Sequence, residues 1–196
     1  SNAATAEKAT FISYLASHTE EDFEGYTELD VINAETFTHN GVGCTFGGDI
    51  LSYISITVLS DVSGSGLGRF NTTPSGVNWA DGIIMSQDYP LEFNFSPAIA
   101  LFGLYITDLG DFGVGAVTQV RLTKSAASGG GTSLHNVTQS ASNINGTLHF
   151  WGFIDPSATY DKVELLRDVS SVDDSDVLTD AIGIDDVIFA PASYIL

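Results

Sequence analysis

Apolar residues recur at every second position through much of this chain, and this alternation constrains the fold more than any other feature. Leu91, Phe93 and Phe95 alternate with Glu92 and Asn94, which is the pattern of a strand with one buried face. Similar stretches are separated at short intervals by Gly, Ser, Asn and Asp, as in β-sandwiches and barrels. The pattern predicts an all-β fold, a jelly-roll-like antiparallel β-sandwich.

One segment near the start departs from this alternation. Residues 4–18 carry an apolar patch around Phe11 and Leu15 at helical spacing, so we predict one short N-terminal helix that docks on the sandwich. A length of 196 residues suits a single hydrophobic core. Residues 1–3 resemble a scar left by tag removal, and we interpret 4–196 as one β-sandwich domain.

The charge balance of the chain limits its partners. Lys and Arg together number 6 against 25 Asp and Glu, which gives a formal net charge of -19. Nucleic acid and anionic membrane surfaces both attract clustered cations, so neither suits this chain. No apolar run reaches the roughly 20 residues of a membrane span, so we expect no membrane insertion. Neutral polysaccharides and divalent cations are compatible partners, and the oligomeric state leaves no trace in the sequence.

The single cysteine, Cys44, lies in an apolar and strand-like context, which predicts a buried, inert thiol. One Cys and four scattered His provide no ligand spacing for a zinc site. The sequence therefore predicts no Cys/His zinc site.

Several short motifs occur in an order that is similar to one family of exported domains. They are Phe23-Glu24-Gly25, Thr45-Phe46-Gly47-Gly48, the stretch 93–103, Phe150-Trp151-Gly152-Phe153 and Ile184-Asp185-Asp186-Val187. The chain resembles the exported domain of bacterial proteins that carry a C-terminal PEP-CTERM sorting signal. This resemblance implies a jelly-roll sandwich, located outside the cell or at the cell surface of a bacterium, with a non-catalytic surface or matrix role. The sorting signal itself is not in this sequence, so either it follows or the protein is freely secreted.

Acidic residues among strand-forming apolar residues at both ends of the chain predict a structural calcium site. Calcium binds carboxylates, carbonyls and water, and a buried carboxylate needs such compensation. Glu24 and Asp186 lie near the first and last strands, with Asp185 and the carbonyl of Gly25 as further ligands. Many sandwiches pair those two strands, so the ion would join the ends of the fold.

The side-chain direction of Asp186 is central to this hypothesis. Asp186 alternates with Ile184 and Ile188, so we expect it to point with them toward the core. The alternative is that the two aspartates cap a sheet edge or pair with Arg167 or Lys162.

A tryptophan in a loop-like run is our candidate for sugar binding. Trp79 lies within 76–82, flanked by Asn78 and Asp81, so an indole face could stack on a pyranose ring while the polar neighbours bind hydroxyls. Trp151 lies in an aromatic run, which favours packing in the core. We therefore predict a secreted domain that binds polysaccharide at Trp79, Asn78 and Asp81, or that acts as a structural component of the extracellular matrix.

Catalysis is the alternative function. Paired carboxylates can hydrolyse glycosides, but 25 acids guarantee close pairs in any fold, so their number carries no information. No nucleophile elbow or phosphate-binding loop is found in the sequence. We expect a protein that is not an enzyme, with no catalytic residue assigned, and keep a glycan-active hydrolase or lyase with paired carboxylates as the alternative.

Overall fold

The computed structural model describes residues 3–27, 30–32, 34–48, 54–56, 69, 71–84, 90–109, 117–137, 147–168 and 180–196. Within these ranges the chain forms one α-helix, α1, which spans Ala3–Ile12, and twelve strands. The strands are β1 Glu20–Glu21, β2 Thr36–His39, β3 Val42–Gly48, β4 Ile54–Ile56, β5 Ala80–Ile84, β6 Leu91–Ile99, β7 Leu101–Thr107, β8 Val117–Lys124, β9 Thr132–Asn136, β10 Leu148–Ile154, β11 Tyr160–Asp168 and β12 Asp180–Ala190.

The strands form two sheets that pack face to face. The first sheet has the order β10-β7-β12-β5-β4, with β1 beside β12, and the second has the order β2-β3-β6-β11-β8-β9. The pairs are antiparallel, and successive strands such as β6 and β7 or β11 and β12 belong to opposite sheets. The predicted antiparallel β-sandwich with one short N-terminal helix is confirmed.

The main core lies between the sheets and is rich in aromatic side chains, because the alternating strands turn their apolar faces inward. Cys44 is buried there, as predicted, and burial raises the pKa of its thiol. The fully or nearly fully buried phenylalanines of this core are Phe23, Phe37, Phe46, Phe93, Phe95, Phe102 and Phe189.

Helix α1 packs on the outer face of the first sheet, where a second apolar cluster includes Phe11, Leu101 and Ile188. Two glycines make room for it, because Gly103 on β7 pairs with Gly152 on β10. A Cβ on Gly152 would lie 3.1 Å from the Phe11 ring, and one on Gly103 would lie 3.2 Å from it. The ring of Phe11 therefore sits over a cross-strand pair of residues without side chains. Among the described elements, no helix has the length and hydropathy to cross a bilayer.

The helix is shorter than the predicted span of 4–18. It ends at Ile12, and beyond it Leu15 forms an antiparallel bridge with Ile195. Around this bridge the amide of residue 16 donates to the carbonyl of residue 194 and the amide of residue 196 donates to the carbonyl of residue 14. Backbone pairing with the C-terminus thus replaces the last turn and a half that the helical pattern predicted.

The beginning and end of the domain lie side by side, as the sequence predicted. In β1, Glu20 is opposite Ile188 and Glu21 is opposite Val187 of β12. The two segments form an antiparallel pair within the first sheet.

A one-residue bulge changes the direction of side chains in β12. The register against β7 shifts between Asp185 and Ile188, and Asp186 adopts a left-handed backbone with φ of 49°. Ile184 and Val187 consequently face the main core, whereas Ile188 packs against α1 on the outer face. The expectation that Ile184, Asp186 and Ile188 share one face is therefore wrong.

Candidate functional site

The carboxylate of Glu24 is held by the segment that precedes β5. The side-chain amide of Asn71 donates to its Oε1 at 2.9 Å, and the backbone amides of Val77 and Asn78 donate to the same atom at 2.8 Å. Gly25, next to it, is exposed. One oxygen of Glu24 therefore receives three hydrogen bonds from the protein itself.

Asp185 is bound by the same segment. Its Oδ2 accepts hydrogen bonds from the backbone amide of Thr72 at 2.6 Å, from the Thr72 hydroxyl at 2.9 Å and from the amide of Thr73 at 3.2 Å. Burial, followed by the charge of Asp186, raises the pKa of Asp185 to about 7, although the Thr72 donors act in the opposite direction. This carboxyl is thus poised to change its charge near neutral pH.

Asp186 joins helix α1 to the sheet. Its Oδ1 accepts a hydrogen bond from the Thr73 hydroxyl at 2.7 Å, and its Oδ2 contacts Nζ of Lys8 at 2.6 Å. The same ammonium lies 2.7 Å from Oε2 of Glu20 on β1. Asp186 therefore forms an ion pair, as the alternative to calcium predicted, but its partner is Lys8, whereas the sequence suggested Arg167 or Lys162.

These contacts leave few free oxygens for the predicted calcium ion. Calcium needs several oxygen ligands, whereas Oε1 of Glu24 and the oxygens of Asp185 and Asp186 face amides, hydroxyls and the ammonium of Lys8. Over the ranges that the structure describes, no three His, Cys, Asp or Glu side chains are grouped to hold a metal. The segment 71–78 lies between Glu24 and the aspartates and links them by hydrogen bonds.

The predicted sugar site around Trp79 is not an exposed surface. Trp79 is 2% exposed, and it lies over Gly183, whose missing side chain makes room for the indole. Asn78 is buried and donates to two backbone carbonyls of the segment after β1. Asp81 contacts Arg69 at 2.6 Å, and burial raises its pKa despite that partner. These three residues therefore support the local structure, and the expectation of an exposed Trp79 is wrong.

A groove of about 740 Å³ opens instead between α1, β10 and the end of β9. Its volume lies within the range typical of small-molecule sites. Its aromatic lining comes from the helix side and from the edge strand β10. The lining includes Glu7, Thr10, Tyr14, Asn136, His149, Phe150, Trp151, Gly152 and Phe153.

Trp151 and Phe153 contribute two aromatic rings to the lining of this groove. Both are half-buried, and their ring centroids are 6.1 Å apart, with Trp151 also 6.4 Å from Phe102 in the core. Tyr14, just after α1, is 57% exposed and forms a rim. Trp151 and Phe153 pack against the main core, on the face of β10 opposite to Phe150, which packs with α1. Both rings are thus backed by the core and half-exposed where they line the groove.

Polar groups lie beside the aromatic rings. Glu7 and Thr10 come from α1, Asn136 from the end of β9 and His149 from β10. Burial lowers the pKa of His149, and the nearby charge of Glu7 offsets part of this effect. His149 is therefore favoured in its neutral form, which both donates and accepts hydrogen bonds.

The backbone of β10 also faces the groove, because β10 is an edge strand in the described part of the first sheet. Just beyond the ends of β10, the amide of Asp155 donates to the carbonyl of Ala100, and the carbonyl of Thr147 accepts from the amide of Asp108. Because hydrogen-bonded positions alternate along an antiparallel pair, the backbone groups of the odd-numbered residues of β10 bond to β7. The N–H and C=O groups of Phe150, Gly152 and Ile154 then point to the open edge. Gly152 is exposed, which leaves its backbone accessible.

The sequence predicted that Trp151 packs in the core, and the half-buried Trp151 does pack against it, but the sequence did not predict the groove. The signal was the aromatic run of residues 150–153, which was recognised as a strand. What the sequence lacked was the position of that strand at a sheet edge, because edge and central strands with apolar faces look alike.

Comparisons with known proteins identify no family. No family model and no curated protein matches this sequence. Among solved structures, the enzymatically active domain of tailspike protein 4 from bacteriophage CBA120 is similar with a TM-score of 0.39 and 10% identity. The match covers 76% of this chain and 19% of that one, so the chain spans about a fifth of the length of that protein. A similarity of this size carries no argument about function.

Proposed function

We propose that the protein is a non-catalytic polysaccharide-binding domain and that the groove beside β10 is its binding site. The observation that carries this proposal is the pair of supported aromatic rings, Trp151 and Phe153, beside hydrogen-bonding groups of His149, Asn136 and Thr10. Rings that stack on the apolar faces of sugars, next to groups that bind hydroxyls, are what a glycan needs.

Charge supports an uncharged polymer as the ligand. The chain carries a net charge of -19, and Glu7 adds a carboxylate at the groove itself. Anionic polysaccharides would be repelled by this field, whereas neutral chains are indifferent to it. The proposal keeps the exported location that the family resemblance implies, since polysaccharides of this kind are met outside the cell.

The non-catalytic part of the proposal rests on the lining of the groove. Glycoside hydrolysis by paired carboxylates needs two acids about 5–10 Å apart across the bond. Among the described lining residues, Glu7 is the one carboxylate, and it lies on the exposed side of α1. Binding without cleavage is the function that such a lining supports.

Affinity electrophoresis in gels that contain neutral polysaccharides tests the proposal. We expect retardation by at least one of cellulose derivatives, xylan, mannan or β-glucan, and loss of retardation in Trp151→Ala and Tyr14→Ala. Tyr14 is 57% exposed, so its replacement should leave the fold intact. Leu134→Ala is the matched control, because Leu134 is also exposed but lies outside the groove.

Two results would contradict the proposal. One is a parent protein that no neutral polymer retards while an anionic polymer does. The other is retention of binding in both groove variants. Release of reducing sugar ends from a bound polymer would instead support the hydrolase alternative.

A further inference from the structure

Lys8 lies in an environment that a simple ion pair does not require. Its Nζ is 2.6 Å from Oδ2 of Asp186 and 2.7 Å from Oε2 of Glu20, and it lies 5.0 Å from the ring centre of Tyr105. The side chains of Lys8 and Asp186 are 11% and 3% exposed. An amine and a carboxyl group are thus in contact, largely shielded from water, with a second carboxylate beside the amine.

The Asp186 carboxyl is also held on its other oxygen. The Thr73 hydroxyl donates to Oδ1 at 2.7 Å, and the left-handed backbone of Asp186, with φ of 49°, turns the side chain toward α1. Left-handed geometry at a residue other than glycine stores strain and is frequent at functional sites. The bulge in β12 therefore aims this carboxyl at Lys8.

We propose that Lys8 and Asp186 condense into an intramolecular isopeptide bond. Nζ of Lys8 attacks Cγ of Asp186, an N–C bond forms, the Cγ–Oδ2 bond breaks and one molecule of water leaves. Overall, the ammonium gives up two protons and the leaving oxygen of the carboxylate gains both, so charge and atoms balance. No oxidant, metal or second substrate takes part.

Neighbouring side chains provide the roles that this reaction needs. Glu20, in contact with Nζ, accepts a proton from the amine and passes it to the leaving Oδ2 as a general base and acid. The Thr73 hydroxyl holds Oδ1 as negative charge develops there in the tetrahedral intermediate. Burial lowers the pKa of Lys8, but contacts with Asp186 and Glu20 outweigh it and raise the pKa, so the ammonium must give up a proton before it can attack.

Two physical effects favour the product. Two buried, opposite charges that are poorly solvated become one neutral amide, which removes their desolvation penalty. The fold holds both reacting groups in contact although they are 178 residues apart in sequence. The entropy lost in bringing two reactants together is therefore already lost on folding, and the reaction is intramolecular.

Intact-protein mass spectrometry of the purified, folded chain tests the proposal. We expect a mass about 18 Da below that of the 20.7 kDa sequence, which is the loss of one water molecule in forming an amide. Protease digestion should yield one branched peptide that contains both Lys8 and Asp186. Lys8→Arg and Asp186→Ala should have the full mass of their own sequences.

Glu20→Gln separates the chemistry from mere contact, because both bonded residues are kept. We expect this variant to be folded, by its circular dichroism and melting curve, but to lose water at least tenfold more slowly than the parent. Lys162→Arg is the matched control: Lys162 contacts Glu92 at 3.0 Å on the second sheet, and its replacement should leave the mass deficit unchanged.

A folded parent chain that keeps the full mass after prolonged incubation, with no branched peptide, overturns the proposal and leaves an ion pair only. A mass deficit that persists in Lys8→Arg would also overturn it, because the lost water would then come from elsewhere. These results are independent of polysaccharide binding, so the two proposals fail separately.

Discussion

At the scale of single residues, the buried carboxyl of Asp185 couples the stability of the fold to pH. Burial and the charge of Asp186 raise its pKa to about 7, whereas an unfolded Asp titrates near pH 4. The folded state therefore binds this proton more tightly than the unfolded state. The contribution of Asp185 to stability is greatest below about pH 4, falls as pH rises toward about 7 and is constant above that value.

We predict that Asp185→Asn flattens this part of the pH profile, since the amide cannot ionise. A shift of about three pKa units corresponds to roughly 4 kcal/mol at most, so the loss in the parent should be measurable by urea unfolding at about pH 4.5 and 7.5. Asp161→Asn is the control, because Asp161 is exposed. Parallel profiles in the parent and Asp185→Asn would show that Asp185 is already ionised in the folded state.

The direction in which a side chain points, into the core or out of it, was the property that the sequence predicted least well. Period-two alternation predicted Ile184 and Asp186 on one face, but a single bulged residue reverses the alternation. The left-handed backbone at the bulge belongs to Asp186, and no motif in the sequence predicts that conformation there. Trp79 misled for a related reason: its loop-like neighbours indicated exposure, while the space over Gly183 that buries it comes from a distant strand.

At the scale of secondary-structure elements, the docking of α1 depends on the paired glycines Gly103 and Gly152. The Phe11 ring fills the space above them and joins the helix to β7 and β10. Because α1 also forms one side of the groove, this small contact helps to shape the proposed binding site.

We predict that Gly152→Ala destabilises the protein by about 1–3 kcal/mol, as expected for overpacking. The new Cβ would lie 2.8 Å from the carbonyl oxygen of Phe102, which is backbone and cannot move aside easily. Gly25→Ala is the matched control, since a Cβ there has no neighbour within 4 Å, and it should stay within about 0.5 kcal/mol of the parent. Chemical unfolding of both variants measures the difference; equal midpoints would refute the tight contact.

Elements themselves were predictable where periodicity was strong. The alternation over residues 91–95 predicted strand β6, and the apolar patch around Phe11 predicted helix α1. The end of the helix at Ile12 was not predictable, because it depends on the bridge between Leu15 and Ile195, which no local pattern encodes. The groove was not predictable, because it combines α1, β9 and β10, which are far apart in sequence.

At the scale of the whole molecule, hydrogen bonds and the ion pairs of Lys8 connect acidic residues that lie near the two ends of the chain. The loop 71–78 contacts Glu24 on one side and Asp185 on the other, and Lys8 holds Asp186. The sequence predicted that these carboxylates need compensation, which is correct, but it could not show that the donors come from the middle of the chain.

We therefore predict that removal of divalent cations leaves the melting temperature unchanged. An ion bound only to the folded state would raise stability by mass action, and a chelator would then lower the melting temperature. The measurement is differential scanning calorimetry with excess EDTA and, separately, with millimolar CaCl₂. A drop in EDTA that calcium reverses would instead support the calcium site that the sequence predicts at Glu24 and Asp186.

The antiparallel bridge between Leu15 and Ile195 has a mechanical consequence. Tension applied to Tyr14 from the N-terminal side and to Leu196 would load its backbone hydrogen bonds one after another, because these two residues lie at the same end of the bridge. Such peeling would proceed from the C-terminal tail toward β12 until it reached Asp186. A covalent link to Lys8 at that point would stop the peeling and leave the rest of the sandwich free of load.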